Sequence, residues 1–162
     1  MAYVQEQQAE NSEMRVDSSM PRFIGIFGAI TATMLITYFS IASAFDFKEI
    51  EELRYLNVFI LFGGVFLANY FYHKDNKHIT NYLNGFALGM GTTAFAGIIF
   101  ATYMYIFMKF LAPEFGLNVQ KAIPFDFVTV ELVALIAFLE TVLSGFMATF
   151  ATMQYFKNVD HT

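Results

Sequence analysis

The sequence has no cysteine, no tryptophan, three prolines and few charges: 14% of its 162 residues are Asp, Glu, Lys or Arg. Without cysteine there can be no disulfide, thiolate metal ligand or thiol nucleophile, and no clue to redox compartment. A soluble domain carries about 25% charged residues. So large a shortage points to a surface that faces lipid rather than water. Nine Lys and Arg stand against 14 Asp and Glu, a net charge of −5, with no basic run. Nucleic acid is therefore not expected as a partner.

Motifs of catalysis are missing as well. There is no P-loop, GxGxxG, HExxH or GxSxG. Gly89-Met90-Gly91 lacks the third glycine of a dinucleotide turn. His73 and His78, at i and i+5 around a short turn, do not have a metal-site spacing. The nine methionines lie scattered through apolar runs and read as filler rather than a soft-metal relay. No enzyme, metal or cofactor is expected from these residues.

What is present is apolar. Hydrophobic residues make up 57% of the chain and aromatics 19%, and the mean hydropathy is +0.50. Crossing the ~30 Å hydrocarbon layer as a helix takes about 20 apolar residues. Four segments qualify. Phe23 to Phe45 and Ile79 to Met108 carry no charge and clear that length. Tyr55 to Tyr72 is marginal until its upstream turn is added. Phe127 to Phe156 qualifies despite Glu131 and Glu140. The expected fold is an all-α integral membrane protein, a bundle of four transmembrane helices. Its spans lie at about 23–45, 54–72, 81–108 and 128–155, in a domain of residues 22–157 flanked by polar tails at 1–21 and 158–162.

Local signals refine this outline. In DFKEIEELRY, Asp46 caps and Glu49 reaches back, a capping box for the second helix. LAPEFGLNVQKAIPF, with Pro113, Gly116 and Pro124, reads as a surface loop, with a shallow interfacial segment as the alternative. Tyrosines near segment ends suit the lipid–water boundary. Ala42-Ser43-Ala44 has the form of a signal-peptidase site, but the run before it is long and its flank acidic, so retention is expected. With four spans, Arg15, Arg22, Lys74, Lys77 and Lys157 share one side, and Lys48, Arg54, Lys109 and Lys121 the other. This thin excess places both termini in the cytoplasm, with the bacterial cytoplasmic membrane as the expected location.

Two patterns are candidates for function. The first is small residues every fourth position: Gly85, Gly89, Thr93, Gly97 and Ala101 on the third span. Gly25, Ala29, Thr33 and Thr37 repeat the pattern on the first, and Ala137, Thr141, Gly145 and Thr149 on the fourth. Such stripes let helix backbones approach closely, either within one bundle or between copies. The second is Glu140, near the middle of VALIAFLETVLSGFMATFATM, with Ser144 one turn on. A carboxylate at bilayer depth is costly and is expected to turn into the bundle, toward Ser144 or a partner such as Asn69 or Asn84. It could be polar glue between helices, a proton- or cation-responsive site, or a contact with another subunit. Glu131 reads as a first-turn acid that suits the helix dipole.

The run ITNYLNGFALGMGTTAFAGIIFATYMYIFMKFLAPEFG, its aromatic exit at Tyr103, Tyr105 and Phe107, and the Pro113-Glu114-Phe115 that follows resemble a family of small bacterial membrane proteins, domain of unknown function 4199. The resemblance covers roughly residues 22–157. It implies four spans and brings no activity, cofactor or catalytic residue. Together these readings point to a non-catalytic subunit or scaffold of a membrane assembly, in contact with the bilayer and with other membrane subunits or its own copies. The alternative is a small proton- or cation-linked channel or transporter using Glu140.

Overall fold

The computed structural model describes residues 19–44, 52–75, 82–122 and 128–159. The tail 1–18, the capping box at Asp46–Glu49, His78 with the rest of residues 76–81, Pro124 and residues 160–162 lie outside the described residues.

Every described element is helical. Helix α1 spans Met20–Ala44, α2 Glu52–Asp75, α3 Tyr82–Ile106, α4 Pro113–Ala122 and α5 Val130–Val159. Four of these (α1, α2, α3 and α5) are long and apolar enough to cross a membrane, and they pack together. Their starts follow local chemistry. Pro21 sits in the first turn of α1, where its missing N–H costs nothing. Thr129 precedes α5, and its hydroxyl accepts from the Leu132 N–H at 3.3 Å, covering an end donor that the helix itself cannot satisfy.

The outward face is apolar. Phe59 is 70% exposed and Met147 74%, with Leu83 and Leu143 close behind. In water such a surface would drive aggregation; in lipid it needs no cover. The chain is an integral membrane protein built as an all-α, four-helix bundle. Helical backbone closes its own hydrogen bonds, as the bilayer demands. Threonine hydroxyls follow suit: Thr33 and Thr37 on the outer face of α1 bond back to the carbonyls of Ala29 and Thr33, each at 2.8 Å.

Long helices that follow one another in the chain alternate in direction. Phe27 on α1 stacks on Phe71 on α2 at 5.6 Å, and Gly64 of α2 accepts Thr31 of α1. Ile24 meets Gly91, while Phe39 meets Phe107, so α1 and α3 run in parallel. The ends of α1 and α5 marked by Met20 and Val159 therefore share one end of the bundle. At that end Met20, Ala68, Tyr72 and Leu88 form one buried cluster. At the other, Leu35, Leu61, Phe100, Met104, Met108 and Val133 form a second.

The closest contact joins α3 and α5. Gly85 lies against Met153, Gly89 against Thr149, Gly97 against Thr141, and Gly145 takes Thr93. Each step is four residues on both helices, in opposite directions. Two of the three small-residue stripes thus face each other within one chain. The third does not: Ala29, Thr33 and Thr37 are exposed, and a methyl group built on Gly25 meets nothing within 4 Å.

The segment after α3 departs from the expected loop. Phe107–Leu111 forms a π turn, with the Ala112 N–H bonded to the Phe107 carbonyl at 2.8 Å. A ten-residue amphipathic helix, α4, follows. Gly116 permits this fold-back, because a side chain there would come within 3.0 Å of the Met108 carbonyl. Phe115 and Val119 pack on the end of the core, and Phe39 lies edge-on to Phe100, Tyr103, Phe107 and Phe115. Proline and glycine mark the breaks here, yet the apolar spacing between them makes a helix that closes the bundle. Two tyrosines near segment ends are also structural: Tyr72 is buried against Phe23, and the Tyr103 hydroxyl shares a 2.8 Å hydrogen bond with Ser40.

The packing yields a direct comparison. A Val side chain at Gly89 must displace Thr149, whose Cγ2 would lie 2.6 Å from the new Cβ. Gly89→Val is expected to lose about 1–3 kcal/mol by overpacking, read by equilibrium unfolding in mild detergent. Gly25→Ala enters open space and is expected to stay within about 0.5 kcal/mol of wild type. Equal losses from the two would contradict the close α3–α5 contact.

Candidate functional site: an outward-facing polar recess

Glu140 and Ser144 fall on one face of α5, one turn apart, and the structure places both at the same recess. Its floor is core: Leu35 from α1, Leu61 from α2 and Phe100 from α3, all at most 6% exposed. Its rim is Asn57 and Val58 from α2 and Ala137, Glu140, Thr141 and Ser144 from α5. Helices α2 and α5 run in parallel here, as they do where His73 stacks on Phe156 at 4.6 Å. All four long helices contribute, and the recess opens outward between α2 and α5.

The expected inward carboxylate is not what forms. Glu140 is exposed on the outer side of the bundle. Asn57, across the recess, is only the second residue of the apolar part of α2, Leu56–Asp75. The carboxylate is thus level with the start of the apolar part of α2, although it lies about 15 Å along α5 from Val130. The cause is length. The apolar part of α5 has 27 residues, about 40 Å of helix, which exceeds the ~30 Å hydrocarbon layer. Position within such a span is a poor guide to depth. Glu140 does have an interaction partner in the fold.

The two asparagines expected as partners belong to the other end. Asn69 donates to the Val65 carbonyl at 3.0 Å and faces Gly85. Asn84 stands in the first turn of α3, more than three turns from Gly97, which is opposite Thr141. Asn57 was the residue to find. Its Oδ1 is buried without a hydrogen-bond partner. A lone amide in LNVFILF is a visible signal, masked in the sequence by the charges just before it.

Other candidates resolve into packing. Gly85, Gly89, Thr93, Gly97 and Gly145 all lie in the α3–α5 contact and away from solvent. Thr141 and Thr149 bond back to the Ala137 and Gly145 carbonyls at 2.8 and 2.7 Å, so the contact presents methyl groups rather than hydroxyls. Glu131 is in the first turn of α5, 3.4 Å from Lys109, which also donates to the Tyr105 hydroxyl. Both members of that ion pair are exposed, so it is screened and contributes little. Among the described residues no group of three or more His, Cys, Asp or Glu could hold a metal ion.

No protein-family model matches the chain, and no curated protein or solved structure matches it. The recess must therefore be read from its own chemistry: one carboxylate, one amide and two hydroxyls around an apolar floor. It can accept hydrogen bonds or a cationic group from the side.

Because Glu140 faces outward, Glu140→Leu should insert at least as well as wild type. Glu140→Lys should insert less well, since a cation within the apolar layer costs up to about 3 kcal/mol on insertion scales while leucine is favourable. Glycosylation-mapped insertion of α5 measures both, and matched efficiencies for Leu and Lys would place this position in water.

Proposed function

We propose that the protein is a non-catalytic subunit or scaffold of a membrane assembly, and that its partner approaches from the side, at the Glu140 recess. The observation that carries this reading is where the polar groups sit. Glu140, Ser144 and Asn57 line a recess that opens to the outside of the bundle, while the α3–α5 seam inside is glycine against threonine methyl groups. A route for ions through one chain needs polar groups facing inward; a lateral contact needs them where they are. Interhelical hydrogen bonds to such groups contribute about 0.6–2 kcal/mol each in membranes, enough to select a partner when backed by packing. The stripe of half-buried Gly25 and exposed Ala29, Thr33 and Thr37 offers a second smooth face for another membrane helix.

A second reading has one observation in its favour. Glu140, Thr141 and Ser144 share their recess with the unpartnered Asn57 Oδ1, a donor–acceptor set that a proton- or cation-linked carrier could use. We also place the protein in the bacterial cytoplasmic membrane with both termini cytoplasmic, on the charge bias of the sequence; the shared end of Met20 and Val159 agrees with termini on one side. Kinship with domain of unknown function 4199 belongs among these proposals and adds no activity.

Purification in mild detergent separates the readings. A second chain is expected to accompany wild type and to be lost from Glu140→Leu, while the folded variant elutes alone. In liposomes with an internal pH dye, wild type and Glu140→Gln are expected to show equal, negligible proton leak. Wild type recovered only by itself would sink the subunit reading, and a leak abolished by Glu140→Gln would establish the carrier.

A further inference from the structure

A second polar site lies at the opposite end of the bundle and is fully enclosed. Nine threonines stand within the described helices. Eight of them (Thr31, Thr33, Thr37, Thr92, Thr93, Thr102, Thr141 and Thr149) bond back to the carbonyl four residues earlier. Thr152 is the exception. Its side chain is 0% exposed, and its hydroxyl has no hydrogen-bond partner. The local bond that satisfies every other helical threonine was open to it, so its hydroxyl is turned elsewhere.

Asn69 is in the same condition. It is 0% exposed, its amide N–H group donates to the Val65 carbonyl, and its Oδ1 has no partner. The two residues are level. Helices α2 and α5 run in parallel, and His73 and Phe156, one turn beyond Asn69 and Thr152, stack face to face at 4.6 Å. Asn69 Oδ1 would lie 3.0 Å from a methyl group built on Gly85, and Met153 Sδ 2.5 Å from it. The missing side chain at Gly85 thus lets the Asn69 amide from α2 and the Met153 thioether from α5 both come up to the α3 backbone.

We propose that Asn69 Oδ1 and Thr152 Oγ1 together hold one buried water molecule that ties α2 to α5 next to Gly85. Two orphaned polar atoms at one level are costly, and buried groups of this kind are satisfied by protein or by ordered water. The donor set selects the ligand. Asn69 Oδ1 only accepts, and the Thr152 hydroxyl either donates or accepts. Water supplies what both need. A cation has no carboxylate here to balance it, and Thr152 and Asn69 are neutral. The site is separate from the Glu140 recess and does not depend on the reading given to that recess.

Thr152→Val tests the idea by the sign of its effect. Valine keeps the shape and removes the hydroxyl. If the hydroxyl is an orphan, its removal leaves stability equal or higher. If it holds water, the water loses a ligand and Asn69 Oδ1 is stranded. The expected result is a fall of roughly 2–4 °C in Tm in mild detergent, restored at least in part by Thr152→Ser. Asn69→Leu combined with Thr152→Val should lose less than the sum of the two single losses, because either one evicts the water. A second readout needs no variant to fold: in ¹⁵N-labelled wild type in micelles, the Asn69 side-chain amide should show a nuclear Overhauser contact at the water frequency. An unchanged or raised Tm for Thr152→Val, or no water contact at Asn69, would overturn the proposal, as would a Tm that rises only on addition of sodium or potassium ions.

Discussion

The α3–α5 seam sets the geometry of the whole molecule. Lipid offers no hydrophobic gain for bringing two apolar helices together, so association rests on close packing. Gly85, Gly89, Gly97 and Gly145 supply that closeness, and Met153, Thr149, Thr141 and Thr93 fill it. Because the fit repeats every four residues on both helices, a slip by one residue would put side chain against side chain along its full length. The register is thereby fixed. With α5 fixed on α3, α2 settles beside α5 in parallel, and the Glu140 recess and the Asn69–Thr152 level follow as consequences of that alignment.

Threonine makes this seam possible in a way that serine or alanine would not. Its hydroxyl returns to its own helix, as at Thr141 and Thr149, and leaves a methyl group to pack. Each hydroxyl is satisfied at no cost in interhelical specificity. The same device covers Thr33 and Thr37 on the lipid-facing side of α1. Polar residues in this bundle are therefore of two kinds: those answered locally, which behave as apolar, and those that are not. Asn57, Asn69 and Thr152 are of the second kind, and two of the three are wholly buried. That division, rather than polarity as such, picks out where a further group can enter.

The sequence carried the bundle plainly. Four charge-depleted runs with polar turns between them leave little choice of fold, because backbone in lipid must be helical. It also carried the small-residue stripes, but not which of them meet. Spacing says that Gly85, Gly89 and Gly97 share a face; it is silent on whether α1 or α5 covers it, since both present the same pattern. The short helix at Pro113–Ala122 was hidden for another reason. Its ten residues hold a proline and a glycine, the usual signs of a loop. Its stability comes from tertiary contact, Phe115 and Val119 against the end of the core, which no local propensity reveals. Glu140 shows the same limit. Its chemistry was evident, but depth and direction depend on how far α5 outruns the lipid layer and on where α2 begins beside it.

That last dependence bears on what a carboxylate here can do. A glutamate enclosed between helices would be locked to one partner, and removing it would disturb the fold. At the rim of a recess, over a floor of Leu35, Leu61 and Phe100, it is exposed on the outer side of the bundle. Such a group is within reach of an interaction outside the chain. The enclosed Asn69–Thr152 level is the reverse: out of reach of any partner, it can act only on how α2 and α5 hold together. The Glu140 recess and the Asn69–Thr152 level thus lie at opposite ends of the same parallel helix pair, with α3 packed at both through Phe100 and Gly85.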